Sequence, residues 1–288
     1  MPEGSIGIIG GSGLYGIEEL GKCREIDIIT PYGKPSDSIM EGVINGKSVY
    51  FLSRHGRGHG INPSNVPNRA NIYAFKMLGV DRIISVSAVG SLRDNLAPCS
   101  LLIPDQLIDR TRARPNTFYD EIAVHVGFRQ PFCPNLCDYI QRVGKEVGEN
   151  IQMGGTYVCM EGPAFSTRAE SELYRSWGAS VIGMTALPEA KLAREAEICY
   201  ASICVITDYD VWREECHVSV EMVMENLQKS IARVKHLLHK LVGGALPPRE
   251  CECSCALRNA IITARDQIPP NQARVLGIFF EKYLGNNS

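Results

Sequence analysis

Two carboxylates follow a strongly apolar segment of the chain. Residues 198–207 read Ile-Cys-Tyr-Ala-Ser-Ile-Cys-Val-Ile-Thr and lead into Asp208 and Asp210. Such a continuous apolar run is typical of a central strand covered on both faces, and open α/β sheets bind ligands at strand ends. In an extended backbone the two carboxylates would share one face. We therefore predict a site here, although an exposed polar loop would fit the same few residues.

Four other predicted loops at strand ends carry residues suited to binding an anion. Glycines let backbone amides approach an oxyanion, arginine offers paired N–H donors, and a loop just before a helix lies near the positive end of the helix dipole. Anion ligands beside carboxylates predict a site for phosphate and a neutral or basic organic group. The four loops contain Gly10–Gly13, Arg54 with His55, Ser87 with Ala88, and Thr185.

Several common catalytic motifs are absent from the sequence. It contains no G-x-S-x-G nucleophile motif and no H-E-x-x-H metal motif, which favours chemistry without a covalent protein intermediate or a metal. Residues 11–16 spell G-x-G-x-x-G, but a strand-like segment follows at residues 26–30, which leaves no room for the helix of a dinucleotide site. A Rossmann dehydrogenase, which would need a nicotinamide or flavin cofactor, is therefore the less favoured alternative.

The composition bounds the class of protein. The chain has 288 residues, of which 44% are hydrophobic and 22% charged, as in soluble globular proteins. A net charge of −2 without a basic run argues against a nucleic-acid partner, and the expected partner is a small molecule. Neither a membrane-spanning segment nor a signal peptide is visible, so we expect no membrane partner and a cytoplasmic location.

Eleven cysteines are scattered along the chain, most of them in apolar segments where we expect free thiols. Cys251, Cys253 and Cys255 alternate too closely for the usual paired-cysteine zinc pattern, and no second cluster with histidines lies nearby in the sequence. We therefore expect no metal site. An accidental local cluster is the simplest interpretation, and a redox or disulfide role stays open.

Apolar runs typical of buried strands alternate with segments of amphipathic helical pattern, and this alternation predicts an α/β fold. Strands at residues 39–44 and 48–52 are joined across Asn45-Gly46, a dipeptide that favours a hairpin turn. Ser219 is the predicted N-cap of a long helix. A linker at residues 243–249 leaves only about forty residues, too few for an independent domain. We predict a single domain, residues 1–288, with a core at 1–242 and a C-terminal appendage at 243–288.

Several short motifs together resemble those of the 5'-methylthioadenosine phosphorylases, from about residue 6 to residue 241. The resemblance implies the trimeric purine nucleoside phosphorylase fold, in which a central mixed β-sheet is flanked by helices and the subunits form a homotrimer. It also implies phosphate-dependent cleavage of 5'-methylthioadenosine to adenine and 5-methylthioribose 1-phosphate, a step of purine and methionine salvage. The motifs are IGGSGL (9–14), SRHG (53–56), ANI (70–72), SAVGSL (87–92), EGP (161–163), GMT (183–185) and TDYD (207–210).

The resemblance assigns roles to individual residues. Inorganic phosphate is implied as a co-substrate and no cofactor is expected. Ser12 and Ser87 stand where many relatives carry threonine, and both keep the hydroxyl. The phosphate site would contain Ser12, Arg54, His55, Ser87, Ala88 through its amide, and Thr185. Phe165 would stack on the base, Met184 would lie under the ribose, Val220, Val223 and Met224 would surround the methylthio group, and His125 would reach into the neighbouring subunit's site.

Asp208 is the candidate acid for this reaction. Adenine leaves poorly as an anion, so the site must donate a proton or hydrogen bond to its N7 while the sugar becomes cationic. An apolar pocket would raise the pKa of Asp208 for this purpose, and Asp210 either shares the role or orients Asp208. A carboxylate can also accept from the 6-amino group, which favours 6-aminopurines. The alternatives are a 6-oxopurine phosphorylase, acting on inosine, guanosine or methylthioinosine, and a nucleoside-binding protein without catalysis.

Overall fold

A mixed β-sheet forms the centre of the computed structural model, which describes residues 4–11, 14, 23–213 and 218–284. The predicted fold class is confirmed: one α/β domain with a central mixed sheet and flanking helices. Within the described residues the strands are β1 Ile6–Gly10, β2 Arg24–Ile26, β3 Ile39–Ile44, β4 Lys47–Ser53, β5 Arg82–Ser91, β6 Leu101–Ile103, β7 Gln106–Arg110, β8 Ile151–Met153, β9 Thr156–Met160, β10 Val181–Gly183 and β11 Cys199–Asp208.

The sheet branches at β5. One path runs β2-β3-β4-β1-β5-β10-β9-β7, and a second continues from β5 to β11, β6 and β8. Strands β4, β1, β5 and β11 are mutually parallel, with Ile6 paired to Val49 and Cys199 paired to Arg82. Their carboxyl ends therefore meet at one edge of the sheet, where open α/β sheets bind ligands.

Six α-helices occur in the described part of the chain. The predicted capping of α5 is confirmed, because the Ser219 hydroxyl accepts a hydrogen bond from the Met222 amide. Helices α2, α4 and α5 pack against β11, all ten residues of which are buried, as its apolar run predicts. The helices are α1 Asn68–Met77, α2 Pro134–Glu146, α3 Arg168–Ser176, α4 Ala186–Glu195, α5 Val220–Gly243 and α6 Pro270–Leu284.

The predicted hairpin is present. Strands β3 and β4 pair antiparallel across Asn45 and Gly46, whose φ values of 50° and 77° suit a turn that follows the twist of the strands. None of the helices in the described ranges is long and apolar enough to cross a membrane.

The segment after α5 packs onto the rest of the domain. Leu257 and the α6 residues Leu276 and Phe280 are fully buried in the main hydrophobic core. The Phe279 ring lies 4.7 Å from that of Phe118. Short pairing with the loop before α2 adds to this packing, since the His125 amide donates to the Ala260 carbonyl at 2.8 Å. Residues 244–284 are thus attached to the sheet domain along their length.

Candidate active site

A cavity of about 680 Å³ opens at the edge where the parallel strands end. Loops after β1, β4 and β10 and the last residues of β5 and β11 contribute to its wall. Such a volume accommodates a nucleoside-sized ligand. Twelve of the residues singled out in the sequence line this one cavity: Arg54, His55, Ser87, Ala88, Phe165, Met184, Thr185, Asp208, Asp210, Val220, Val223 and Met224.

Two residues singled out in the sequence are not among these twelve. Ser12 lies outside the described residues, so its role stays a prediction. His125 is exposed and does not line this cavity. The resemblance places it in the site of a neighbouring subunit.

Arg54 is held at the inner end of the cavity by a buried ion pair. Its Nε donates to Glu189 Oε1 at 2.5 Å, and its Nη2 donates to Ser85 Oγ at 2.6 Å. Tyr200 also donates to Glu189, at 2.8 Å. Burial opposes the guanidinium charge, but the Glu189 carboxylate more than offsets this and raises the pKa of Arg54. A permanent cation is therefore fixed in position without direct exposure to solvent.

One N–H group of Arg54 remains for a ligand. A guanidinium carries five N–H groups. Two bonds go to Glu189, one to Ser85, and one from Nη1 to the Val86 carbonyl at 3.0 Å. A Cβ on Gly11 would lie 3.1 Å from Nη1 and 2.9 Å from the Val86 oxygen, so a side chain there would cover the group. The glycine loop thus keeps this donor open to an anion.

Two hydroxyls and an imidazole complete the polar end of the cavity. The Ser87 and Thr185 hydroxyls are 2.8 Å apart, so one donates to the other. The Nδ1 of His55 lies 2.8 Å from the Ile61 carbonyl, which makes Nδ1 the protonated nitrogen. Burial, together with the charge of Arg54, lowers the pKa of His55 to about 4. The ring is neutral at pH 7 and presents an unprotonated Nε2.

The carboxylates do not lie along one extended strand, contrary to the prediction. Strand β11 ends at Asp208 after an irregularity in its pairing with β5, and Asp210 has a left-handed φ of 51°. The Asp210 amide donates to Asp208 Oδ1 at 2.7 Å, which closes a tight turn. Because of this turn, and not because of an extended strand, both side chains line the same cavity.

Asp208 has the environment expected of an acid. It is only 5% exposed, and burial raises its pKa, although hydrogen bonds from Thr207 Oγ1 and the Asp210 amide act in the opposite direction. A Cβ on Gly90 would lie 2.9 Å from Asp208 Oδ1, so the bare backbone of β5 makes room for the carboxyl group.

Asp210 is held by another partner. Its two carboxylate oxygens accept from the Ser166 hydroxyl at 2.8 and 3.0 Å, while its amide is bonded to Asp208. These contacts support an orienting role for Asp210 towards Asp208.

The mouth of the cavity is apolar. Phe165, Val220 and Met224 are 45%, 65% and 43% exposed although they are large apolar side chains. Val220, Val223 and Met224 come from the first turns of α5, so the apolar side chains at the start of this helix line the cavity. An apolar rim above a polar end matches a ligand with an apolar group at one extremity.

Three residues that hold the site in place were not identified from the sequence. Glu189 pairs with Arg54 and Ser166 binds Asp210, as described above. Arg114 is buried and donates through Nη1 to the carbonyls of Met184 at 2.6 Å and Leu187 at 2.8 Å, which holds the loop before α4. Their signal was weak, because a glutamate within a helix, a serine in a loop and an arginine in a polar connection are ordinary in composition.

Comparison with known proteins agrees with this geometry. The profile of the phosphorylase superfamily matches residues 5–243. The chain belongs to the phosphorylase superfamily.

Individual members of this superfamily are similar over nearly the whole chain. The S-methyl-5'-thioadenosine phosphorylase of Geobacter sulfurreducens is 50% identical over 285 residues, covering 98% of this chain and all of the relative. A methylthioadenosine phosphorylase from an antarctic soil metagenomic library superposes with a TM-score of 0.88 at 45% identity, covering 95% of this chain and 98% of that one. The Schistosoma mansoni methylthioadenosine phosphorylase in complex with adenine has a TM-score of 0.80 at 37% identity, covering 83% and 90%.

The resemblance seen in the motifs is thereby confirmed. It also extends further than the motifs suggested, since the alignment to the Geobacter phosphorylase includes most of the segment after residue 241.

Proposed function

We propose that this phosphorylase cleaves the N-glycosidic bond of 5'-methylthioadenosine with inorganic phosphate, yielding adenine and 5-methylthioribose 1-phosphate. One observation carries the proposal: a single cavity holds a buried guanidinium and hydroxyls at its inner end, a buried carboxyl group with raised pKa, and an apolar rim. Phosphate, purine and methylthio group each have a matching part of the wall. Close relatives bear the name of this activity.

Phosphate would bind beside Arg54, Ser87, Thr185 and the amide of Ala88. One of its oxygens attacks C1' while the bond from C1' to N9 breaks, and the bonding electron pair goes to the purine. The phosphate charge also stabilises the cationic sugar as the bond breaks. Because Arg54 is fixed by Glu189, its donor needs no rearrangement when phosphate arrives.

Asp208 would donate its proton to N7 of the departing adenine. A carboxyl group can do this at neutral pH only if its pKa is raised, and burial raises it here. Its second oxygen can accept from the 6-amino group, which favours adenine over a 6-oxopurine. Ser166 and Asp210 keep the turn that orients this group.

We further infer that Phe165 stacks on the base, that Met184 lies beneath the ribose, and that Val220, Val223 and Met224 surround the methylthio group. All five line the cavity. Phosphate is the co-substrate and no cofactor is needed for this reaction.

We also infer a cytoplasmic homotrimer in which His125 approaches the neighbouring subunit's cavity. Exposed apolar residues at the rim and an exposed His125 outside its own cavity support this arrangement. Sedimentation analysis of the full chain should give three times the mass of one subunit, and a monomer would contradict it.

Adenine release provides the decisive test. The protein is incubated with 5'-methylthioadenosine with and without phosphate, and with methylthioinosine in parallel. We expect adenine only when phosphate is present, and much slower release of hypoxanthine. Faster reaction with methylthioinosine would favour a 6-oxopurine phosphorylase, and adenine binding without release would indicate a binding protein.

A further inference from the structure

Four cysteines from three distant parts of the chain meet at the opposite end of β11 from Asp208. Cys133 precedes α2, Cys199 opens β11, and Cys251 and Cys253 lie in or beside a short 3₁₀ helix, Glu252–Cys255, in the C-terminal segment. Their four sulfur atoms all lie within 4.8 Å of one another. None of the four lines the active-site cavity.

We propose that these four thiolates bind one divalent metal ion, Zn²⁺, which fastens the C-terminal segment to the central sheet. Structural zinc sites are tetrahedral, and four-cysteine sites are a common form of them. With zinc–sulfur bonds near 2.3 Å, the sulfur atoms of such a tetrahedron are about 3.8 Å apart. The sulfurs of Cys199 and Cys251 are 3.4 Å apart, so small shifts would suffice to accommodate an ion.

The surroundings suit a closed structural site. Cys133, Cys199 and Cys253 are buried and Cys251 is half-buried, which leaves no open position for a substrate. The Cys133 amide donates to the Tyr200 carbonyl at 2.8 Å, so the backbones of two ligand segments are bonded to each other. Such fixed backbone partners hold metal ligands in place.

A positive charge also lies beside the cluster. The Arg249 guanidinium lies close enough to Cys199 for their charges to attract each other, and its Nη2 donates to the Glu197 carbonyl at 2.6 Å. Four thiolates and Zn²⁺ carry a net charge of −2, which a nearby guanidinium partly offsets.

A metal explains the arrangement better than disulfides do. Two disulfides would join the sulfurs in pairs at a bonding distance of about 2.03–2.05 Å. Here all four sulfurs are near one another, and the described cysteines are free thiols. The expectation of no metal came from the spacing of residues 251–255 alone, which cannot show that Cys133 and Cys199 complete the set.

Metal content provides the test. The full chain is purified under reducing conditions and analysed by inductively coupled plasma mass spectrometry. We expect one zinc ion per chain, lost in Cys253→Ser. Cys255→Ser is the matched control, because Cys255 occupies the same short helix outside the cluster, and it should keep the ion.

A second measurement, made on the unaltered protein, tests the proposal even if the variant does not fold. Its zinc is exchanged for Co²⁺, and the absorption spectrum should then show intense thiolate-to-cobalt charge-transfer bands typical of tetrahedral thiolate sites. The proposal is overturned if the reduced, folded protein binds neither zinc nor cobalt, if Cys253→Ser keeps the zinc of the unaltered chain, or if peptide mapping finds the four cysteines joined in disulfides.

Discussion

Strand β11 carries Asp208 at its carboxyl end, in the active-site cavity, and Cys199 at its amino end, in the four-cysteine cluster. A ten-residue strand separates the two ends by roughly 30 Å. The cavity is built from short motifs at or near the carboxyl ends of several strands, each of which has a signal of its own in the sequence. The cluster joins single cysteines from distant segments. A site made of local motifs can thus be predicted from sequence, whereas one made by tertiary contact cannot.

The largest expected effect concerns the carboxyl end of β11. Asp208→Asn should lower kcat/KM for 5'-methylthioadenosine about 10²–10⁴-fold, because an amide cannot donate an acidic proton to N7. It should also gain some activity on inosine-type substrates, since an amide N–H can bond a 6-oxo group. Release of adenine and hypoxanthine, measured side by side, checks both effects. Unchanged adenine release would remove Asp208 from the mechanism.

Arg54→Met tests the inner end of the same cavity. It leaves the Glu189 carboxylate buried without its partner, which typically costs about 3–5 kcal/mol of unfolding free energy. Phosphate affinity should fall as well. The matched control is the double variant Arg54→Met with Glu189→Met, which should recover stability in urea unfolding without recovering the KM for phosphate. Recovery of both would show that Arg54 has only a structural role.

His55 gives the active-site end of β11 a pH dependence of its own. Burial beside Arg54 lowers its pKa to about 4, below the value of about 6.5 in the unfolded chain. As pH falls from 6.5 to 4, the unfolded chain binds a proton that the folded chain does not, so stability decreases by up to about 3 kcal/mol. Above pH 6.5 this contribution is constant.

Urea unfolding at pH 7 and pH 4.5 measures this loss, with His55→Gln as the variant in which it should be reduced. A phosphate dianion beside the ring favours the imidazolium form, so phosphate should also lessen the loss. The same slope in the variant would assign the pH dependence to other groups.

The contrast between local motifs and contacts between distant segments explains why only parts of the site could be predicted from the sequence. Arg54 follows the end of β4, Ser87 lies within β5 and Asp208 ends β11. All three follow apolar runs that fix their place in the sheet. The left-handed turn at Asp210 and the pairing of Glu189 with Arg54 depend on contacts between distant segments. The mixed sheet followed from the family resemblance, while composition alone indicated only an α/β fold.

Gly90→Ala should reduce activity without a charge change. The added Cβ would lie 2.9 Å from Asp208 Oδ1 and displace the carboxyl group. A shift of about 1 Å at a catalytic group costs roughly 10²-fold in rate. Gly127→Ala is the matched control, because nothing lies within 4 Å of its added Cβ. Equal kcat/KM values for the two variants would show that the close approach of β5 does not position Asp208.

The smallest effect on turnover is expected at the amino end of β11. A strong chelator should remove the proposed zinc and loosen the C-terminal segment, whose Leu257 and Phe280 are fully buried. For a chain of this size each kcal/mol lost lowers Tm by about 2–4 °C. We therefore expect chelation to lower Tm by several degrees, measured by calorimetry, and added Zn²⁺ to restore it. Turnover at 25 °C should change little, because the cluster is remote from the cavity.

The same fall in Tm in Cys253→Ser, with no further response to chelator, would assign the effect to this cluster. A chelator-induced loss of turnover without a change in Tm would instead place the metal dependence at the carboxyl end, and the separation of roles between the two ends would be wrong.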